Sequence, residues 1–110
     1  FFDGEGSVGL YYHRKQNRWK AKISISQNDS KHALRLFTRW GIVFAGSVYK
    51  RKCGDLEFAI WKRPSLVAFI HYVGPYCVGK KQQMLVLGNW LQYQMYSYRT
   101  AQILKALKRS

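Results

Sequence analysis

The sequence predicts one α+β domain, a four-stranded antiparallel sheet with helices packed on one face. Three observations carry that expectation. Two stretches each divide into a pair of strand-like runs around a short turn. Four other stretches repeat their apolar residues at helical spacing. The length, 110 residues of which 47% are hydrophobic, suits a single domain with a core of its own.

Residues 7–13 alternate, with Val8, Leu10 and Tyr12 on one side and Ser7, Gly9, Tyr11 and His13 on the other. A polar turn over 14–17 follows. Residues 18–27 alternate more cleanly, setting Trp19, Ala21, Ile23 and Ile25 against Arg18, Lys20, Lys22, Ser24 and Ser26. The two runs form a hairpin with one apolar and one basic face. Asn28, Asp29 and Ser30 offer caps for a helix over about 29–40, in which Ala33, Leu36, Phe37 and Trp40 recur and which Gly41 is expected to end. A second hairpin is expected from strands over 44–52 and 55–62, around Lys52-Cys53-Gly54-Asp55. Leu56, Phe58 and Ile60 face inward there, while the pattern leaves open whether Val48 or Tyr49 does. Pro64 suits the first turn of another helix, carrying Leu66, Phe69, Ile70 and Val73 and stopped by Gly74-Pro75. Met84, Leu87, Leu91 and Met95 stripe a helix from about Lys81. A short terminal helix sets Ile103, Leu104 and Leu107 against Lys105, Lys108 and Arg109.

Lysine and arginine total 19 against 5 acids, a formal charge of +14. Self-repulsion at this density favours a polyanionic partner. The hydrophobic content excludes a disordered basic tail. No stretch approaches the roughly 18 apolar residues of a membrane span, and the chain starts on Asp3 and Glu5 rather than a basic signal segment, so an intracellular protein with no membrane partner is expected. Cys53 and Cys77 have no Cys or His at ligand spacing, which excludes zinc fingers; two partly buried free thiols are expected, with a disulfide between them as the alternative. His13, His32 and His71 fall in different elements and form no ligand pair.

With one sheet face under the helices, the other keeps cations in register. A two-stranded ribbon fits the major groove of B-form DNA, where alternate basic and hydroxyl side chains reach base edges and phosphates. The candidate DNA-contacting residues are Ser7, Gly9, Tyr11, His13, Arg18, Lys20, Lys22, Ser24, Ser26, Tyr49 and Arg51. Two of the five acids stand just before the first strand, in Phe1-Phe2-Asp3-Gly4-Glu5-Gly6-Ser7. A carboxylate at the head of a phosphate-binding face repels its ligand unless a cation mediates. Mg²⁺ takes one or two carboxylates together with phosphate oxygens and water, and activates that water for attack on a phosphodiester. The acid ladder of an EF-hand is missing.

The run Phe-Phe-Asp-Gly-Glu-Gly-Ser-Val at 1–8 resembles the second half of the LAGLIDADG motif of homing endonucleases, in the variant whose last acid is glutamate. Ile23-Ser24-Ile25-Ser26-Gln27 ends its strand on the glutamine that family often places there. Gly74-Pro75-Tyr76, followed by Gly79-Lys80-Lys81-Gln82-Gln83, resembles the family's loop and basic-pocket lysine before the last long helix. The resemblance covers nearly the whole chain in order.

It implies a saddle-shaped sheet in a single domain over 1–110, with a motif-helix remnant at 1–6 and C-terminal helices over about 81–110. It makes Glu5, with the Gly4 carbonyl, the ligand of a catalytic Mg²⁺ or Mn²⁺, and Asp3 the more variable acid that caps the motif helix. Lys80 matches the lysine near the scissile phosphate, Gln27 a polar residue of the same pocket, and Lys31 a basic residue starting the next helix. The implied activity is site-specific hydrolysis of double-stranded DNA, leaving 3′ overhangs and associated with mobile introns. Cutting both strands needs a twofold pair of sites, so the chain is expected to be a homodimer subunit or half of a tandem protein. It begins at Phe1 where the family has Leu-Ala-Gly before it, which implies a shortened motif helix and weakened pairing and cleavage. The alternatives are a non-cleaving DNA- or RNA-binding module, such as an intron maturase or a decayed endonuclease, and a structural role such as that of a ribosomal protein.

Overall fold

The computed structural model describes residues 6–28 and 30–109. The expectations for Asp3, Gly4 and Glu5, for the motif-helix remnant, and for Asp29 as a cap lie outside the described residues. Strands β1 (Gly6–His13) and β2 (Arg18–Gln27) form the first hairpin, paired from Gly6↔Ile25 to His13↔Arg18. Asn17 turns the chain with φ 50°, a left-handed position that asparagine tolerates, and its side chain accepts the Tyr12 hydroxyl.

Helix α1 (Lys31–Phe44) is capped by Ser30, whose Oγ accepts the Ala33 N–H at 3.1 Å. Gly41 does not end it. The helix runs one turn further to Ala45, which is left-handed and donates its N–H to the Gly41 carbonyl. A helical glycine costs only about 1 kcal/mol. Continuing buries Phe44, whose ring meets Phe69 at 5.1 Å between centroids. The strand expected from 44 is therefore shorter: β3 is Ser47–Lys50 and β4 is Leu56–Ile60, joined by a turn in which Gly54 has φ 94°.

All four strands are antiparallel, in the order β1-β2-β4-β3. Register settles the parity the pattern left open. Val48 pairs with inward-facing Phe58 and Tyr49 with Glu57, so Val48 joins the core and Tyr49 the opposite face.

Helix α2 (Arg63–Val73) has Pro64 in its first turn and gives way to a 3₁₀ turn at Gly74–Tyr76. Helix α3 (Lys81–Tyr93) and helix α4 (Ser97–Arg109) complete the layer. Two apolar expectations fail here. Met95 is exposed because α3 stops at left-handed Gln94, before the stripe reaches it. Ile103 is exposed because the buried line of α4 runs through Ala101 and Leu104, and Ile103 lies about 100° round the helix from Leu104.

Helix α1 packs on β4 and β3, α2 on β2, and α3 and α4 on β1. Between the layers, Phe58 of β4 meets Phe37 at 5.9 Å and Trp40 at 5.7 Å between ring centroids. Ile23, Ile25, Ile60, Leu66, Met84 and Leu87 fill the rest. Such a one-sided core leaves the other sheet face open. Among the described residues no helix is long and apolar enough to cross a membrane.

Candidate nucleic-acid interface

Alternation along each strand and pairing between strands together fix what stands on the open face. Its rows, read across the sheet, are His13 with Arg18, Tyr11 with Lys20, Gly9 with Lys22, Ser7 with Ser24, Ala59 and Ser47, and Ser26 with Glu57 and Tyr49. Arg51 follows at the end of β3 and donates from Nη1 to Ser26 Oγ at 3.2 Å. Every residue expected to contact DNA therefore belongs to one surface. Two are covered from within it. Gly9 lies under the Tyr11 ring, and Ser24 is 8% exposed.

The cover over Ser24 has an identifiable source that the sequence reading passed over. Glu57 is nearly buried in the middle of the open face, and its carboxylate meets Lys22 Nζ at 3.1 Å. Lys22 stands one row beyond the Ser24↔Ala59 pair and Glu57 one row before it. The bridge must arch over those two small residues, which accounts for their burial. Lys22 also lies over the Trp61 ring, 4.9 Å from its centroid. Burial opposes both charges. Against it, hydrogen bonds from Tyr49 and Lys22 hold the Glu57 carboxyl below the usual carboxylate range, with Arg51 adding to the field. For Lys22, burial is likewise outweighed by Glu57, so the ammonium is held above its usual pKa. Burial and the hydrogen bond to Glu57 together push the Tyr49 phenol up, keeping it a donor. The signal for Glu57 was present in the sequence: if 56, 58 and 60 face inward, 57 must face out.

The face is therefore graded. Its outer rows carry Arg18, Lys20 and His13 without a carboxylate partner among the described residues. Its inner rows carry serines and a neutralised network. Gln27 pairs with inward-facing Leu56 and is half-buried, on the helix side of the sheet. Lys31 opens α1 and is exposed, whereas Lys80 is half-buried directly before α3. The structure thus brings the expected DNA-contacting residues together but distributes Gln27, Lys31 and Lys80 over other elements. Glu5 and Gly4 lie outside the described residues. Among the described residues no three His, Cys, Asp or Glu side chains could share a metal ion.

An open antiparallel sheet, helical on one side and cationic on the other, places the chain among α+β proteins whose exposed face is a sheet surface. Solved structures define the fold further. The chain matches the homing endonuclease I-CvuI, solved with the I-CreI target in 2 mM Mg and with its DNA not cleaved, at a TM-score of 0.81 and 17% identity, over 97% of this chain and 76% of that one. It matches the archaeal intron-encoded homing endonuclease I-Vdi141I, complexed with DNA, at 0.72 and 14% identity, over 96% and 78%. It matches the LAGLIDADG homing endonuclease I-GzeII, in complex with its DNA target, at 0.70 and 16% identity, over 98% and 40%. The chain has the LAGLIDADG homing-endonuclease fold. No protein-family model and no curated protein matches the sequence.

Proposed function

We propose that the chain is a LAGLIDADG-type homing endonuclease domain that grips duplex DNA on its open sheet face and cuts it with a divalent metal. The observation that carries this is the placement of all the expected DNA-contacting residues on one surface of that fold. Arg18, Lys20 and His13, on the outer rows, track phosphates, while the inner rows of Ser7, Ser26, Tyr49 and Arg51 meet base edges.

Glu5 and the Gly4 carbonyl would hold Mg²⁺ or Mn²⁺; so few protein donors leave positions for phosphate oxygens and water, as this ion prefers. When bound, the ion neutralises the phosphate and activates water for hydrolysis. Lys80 stabilises the charge that builds on the phosphate oxygens, with Gln27 and Lys31 as further members of that pocket. Products carry 3′ overhangs. Two such sites are needed for a double-strand cut, supplied by a second subunit or by a tandem repeat. The chain spans 76% of I-CvuI but 40% of I-GzeII, the proportion expected where the longer protein holds the fold twice.

The test is cleavage of a plasmid carrying the DNA that flanks the reading frame, joined as an uninterrupted target. Glu5→Gln is expected to lower Mg²⁺-dependent nicking by about 100-fold or more while duplex binding persists. Cutting by Glu5→Gln at the wild-type rate overturns the assignment. Tight binding of the target with no cut in Mg²⁺ or Mn²⁺ replaces it with the non-cleaving module.

A further inference from the structure

We propose that the cleft beside the overhanging edge of β2 binds a single-stranded segment of nucleic acid. Strand β2 has ten residues and β4 only five, and their pairing begins at Ile23. From 18 to 22, β2 is paired on the β1 side alone among the described strands. On its other side the chain leaves β4 through Trp61 and Lys62 and turns into α2. Between them lies a cleft of about 720 Å³.

The lining of this cleft is unlike an apolar gap. Arg18 and Lys20 stand on the strand edge, and Lys62 and Arg63 face them from the start of α2. None of the described lining residues is acidic, and none of these four cations has a carboxylate partner among the described residues. The floor is Trp90, buried and fixed by its Nε1, which donates to Ser97 Oγ at 2.9 Å. Trp19 is held edge-on by Tyr12 at 5.5 Å between centroids. Trp61 is 45% exposed, with Lys22 fixing one face of its ring. Trp61 also lines the cleft.

Cations that follow a phosphate backbone, interleaved with aromatic rings on which bases stack, are the combination that holds single strands. In a duplex the bases are already stacked on one another, and a base must be free to enter between the β2 edge and α2. An extended peptide could pair with the free edge. It would leave four cations unanswered, so charge favours the polyanion. The cleft shares Arg18 and Lys20 with the open face, and what sets it apart from duplex binding and cleavage is the stacking ring of Trp61.

The probes are a short fluorescein-labelled oligothymidylate and an abasic oligomer of the same length and charge. The intact chain is expected to bind the oligothymidylate about tenfold more tightly than the abasic strand, with tryptophan quenching, as one stacked base predicts. Trp61→Ala should erase that preference, Trp61→Phe should keep most of it, and neither should change affinity for a blunt duplex by more than about twofold. Equal binding of the two strands by the wild type, or a preference that survives in folded Trp61→Ala, overturns the proposal and leaves the duplex reading untouched. An equal loss by Trp61→Phe and Trp61→Ala also overturns it, because the phenyl ring preserves stacking.

Discussion

Lys22 and Glu57 begin four positions apart in the register of neighbouring strands, and their side chains close the gap above Ser24 and Ala59. The pair is linked to pH at both ends. The Glu57 carboxyl is held low, so its contribution to stability is present above the ordinary carboxylate range and is lost as pH falls through the lowered pKa. The Lys22 ammonium is held high, so its share is present below the ordinary lysine range and is lost as pH rises through the raised pKa. Acidification from about pH 6 to about pH 3 should therefore lower the Tm of the wild type more than that of Glu57→Gln. Parallel acid slopes for the two proteins would remove the linkage. The same pair sets a condition on the proposed DNA binding: Lys22 would have to leave Glu57 before it met a phosphate or a base.

Between α1 and β3, Gly46 packs directly against β4. A Cβ there would stand 2.6 Å from the Phe58 ring and 2.9 Å from the Ala59 carbonyl oxygen, both on β4 and held on two sides by neighbouring strands. Gly46→Ala should cost about 1–3 kcal/mol, read as a lower urea midpoint at unchanged slope. An unshifted midpoint would mean that the joint yields. Elements whose ends are local were legible in the sequence. Strand β2 was, because its alternation runs unbroken from Trp19 to Ile25. The end of α1 was not, because burial of Phe44 against Phe69 is a tertiary gain that no local signal at Gly41 records. Sheet order was also out of reach: each hairpin is local, but the meeting of β2 with β4 is decided by the shared core. The cations of the open face followed from parity, as Glu57 would have done. Gln27, Lys31 and Lys80 rested on resemblance, since nothing in their spacing relates them to one another.

Across the molecule, 19 basic residues face 5 acids, and Glu57 is already engaged by Lys22. If about six phosphates are neutralised per domain, the slope of log affinity against log salt should be roughly −5 for duplex DNA. A flat response in a filter or anisotropy titration would deny the electrostatic grip. The two thiols give the molecule a further property. Cys53 is exposed in the turn between β3 and β4, while Cys77 is buried with its Sγ donating to the Val73 carbonyl. A maleimide therefore meets one sulfur at once and the second only when the core opens. The natural chain can carry a dye at the tip of its outer hairpin, two residues from Arg51, and its second alkylation keeps time for global unfolding.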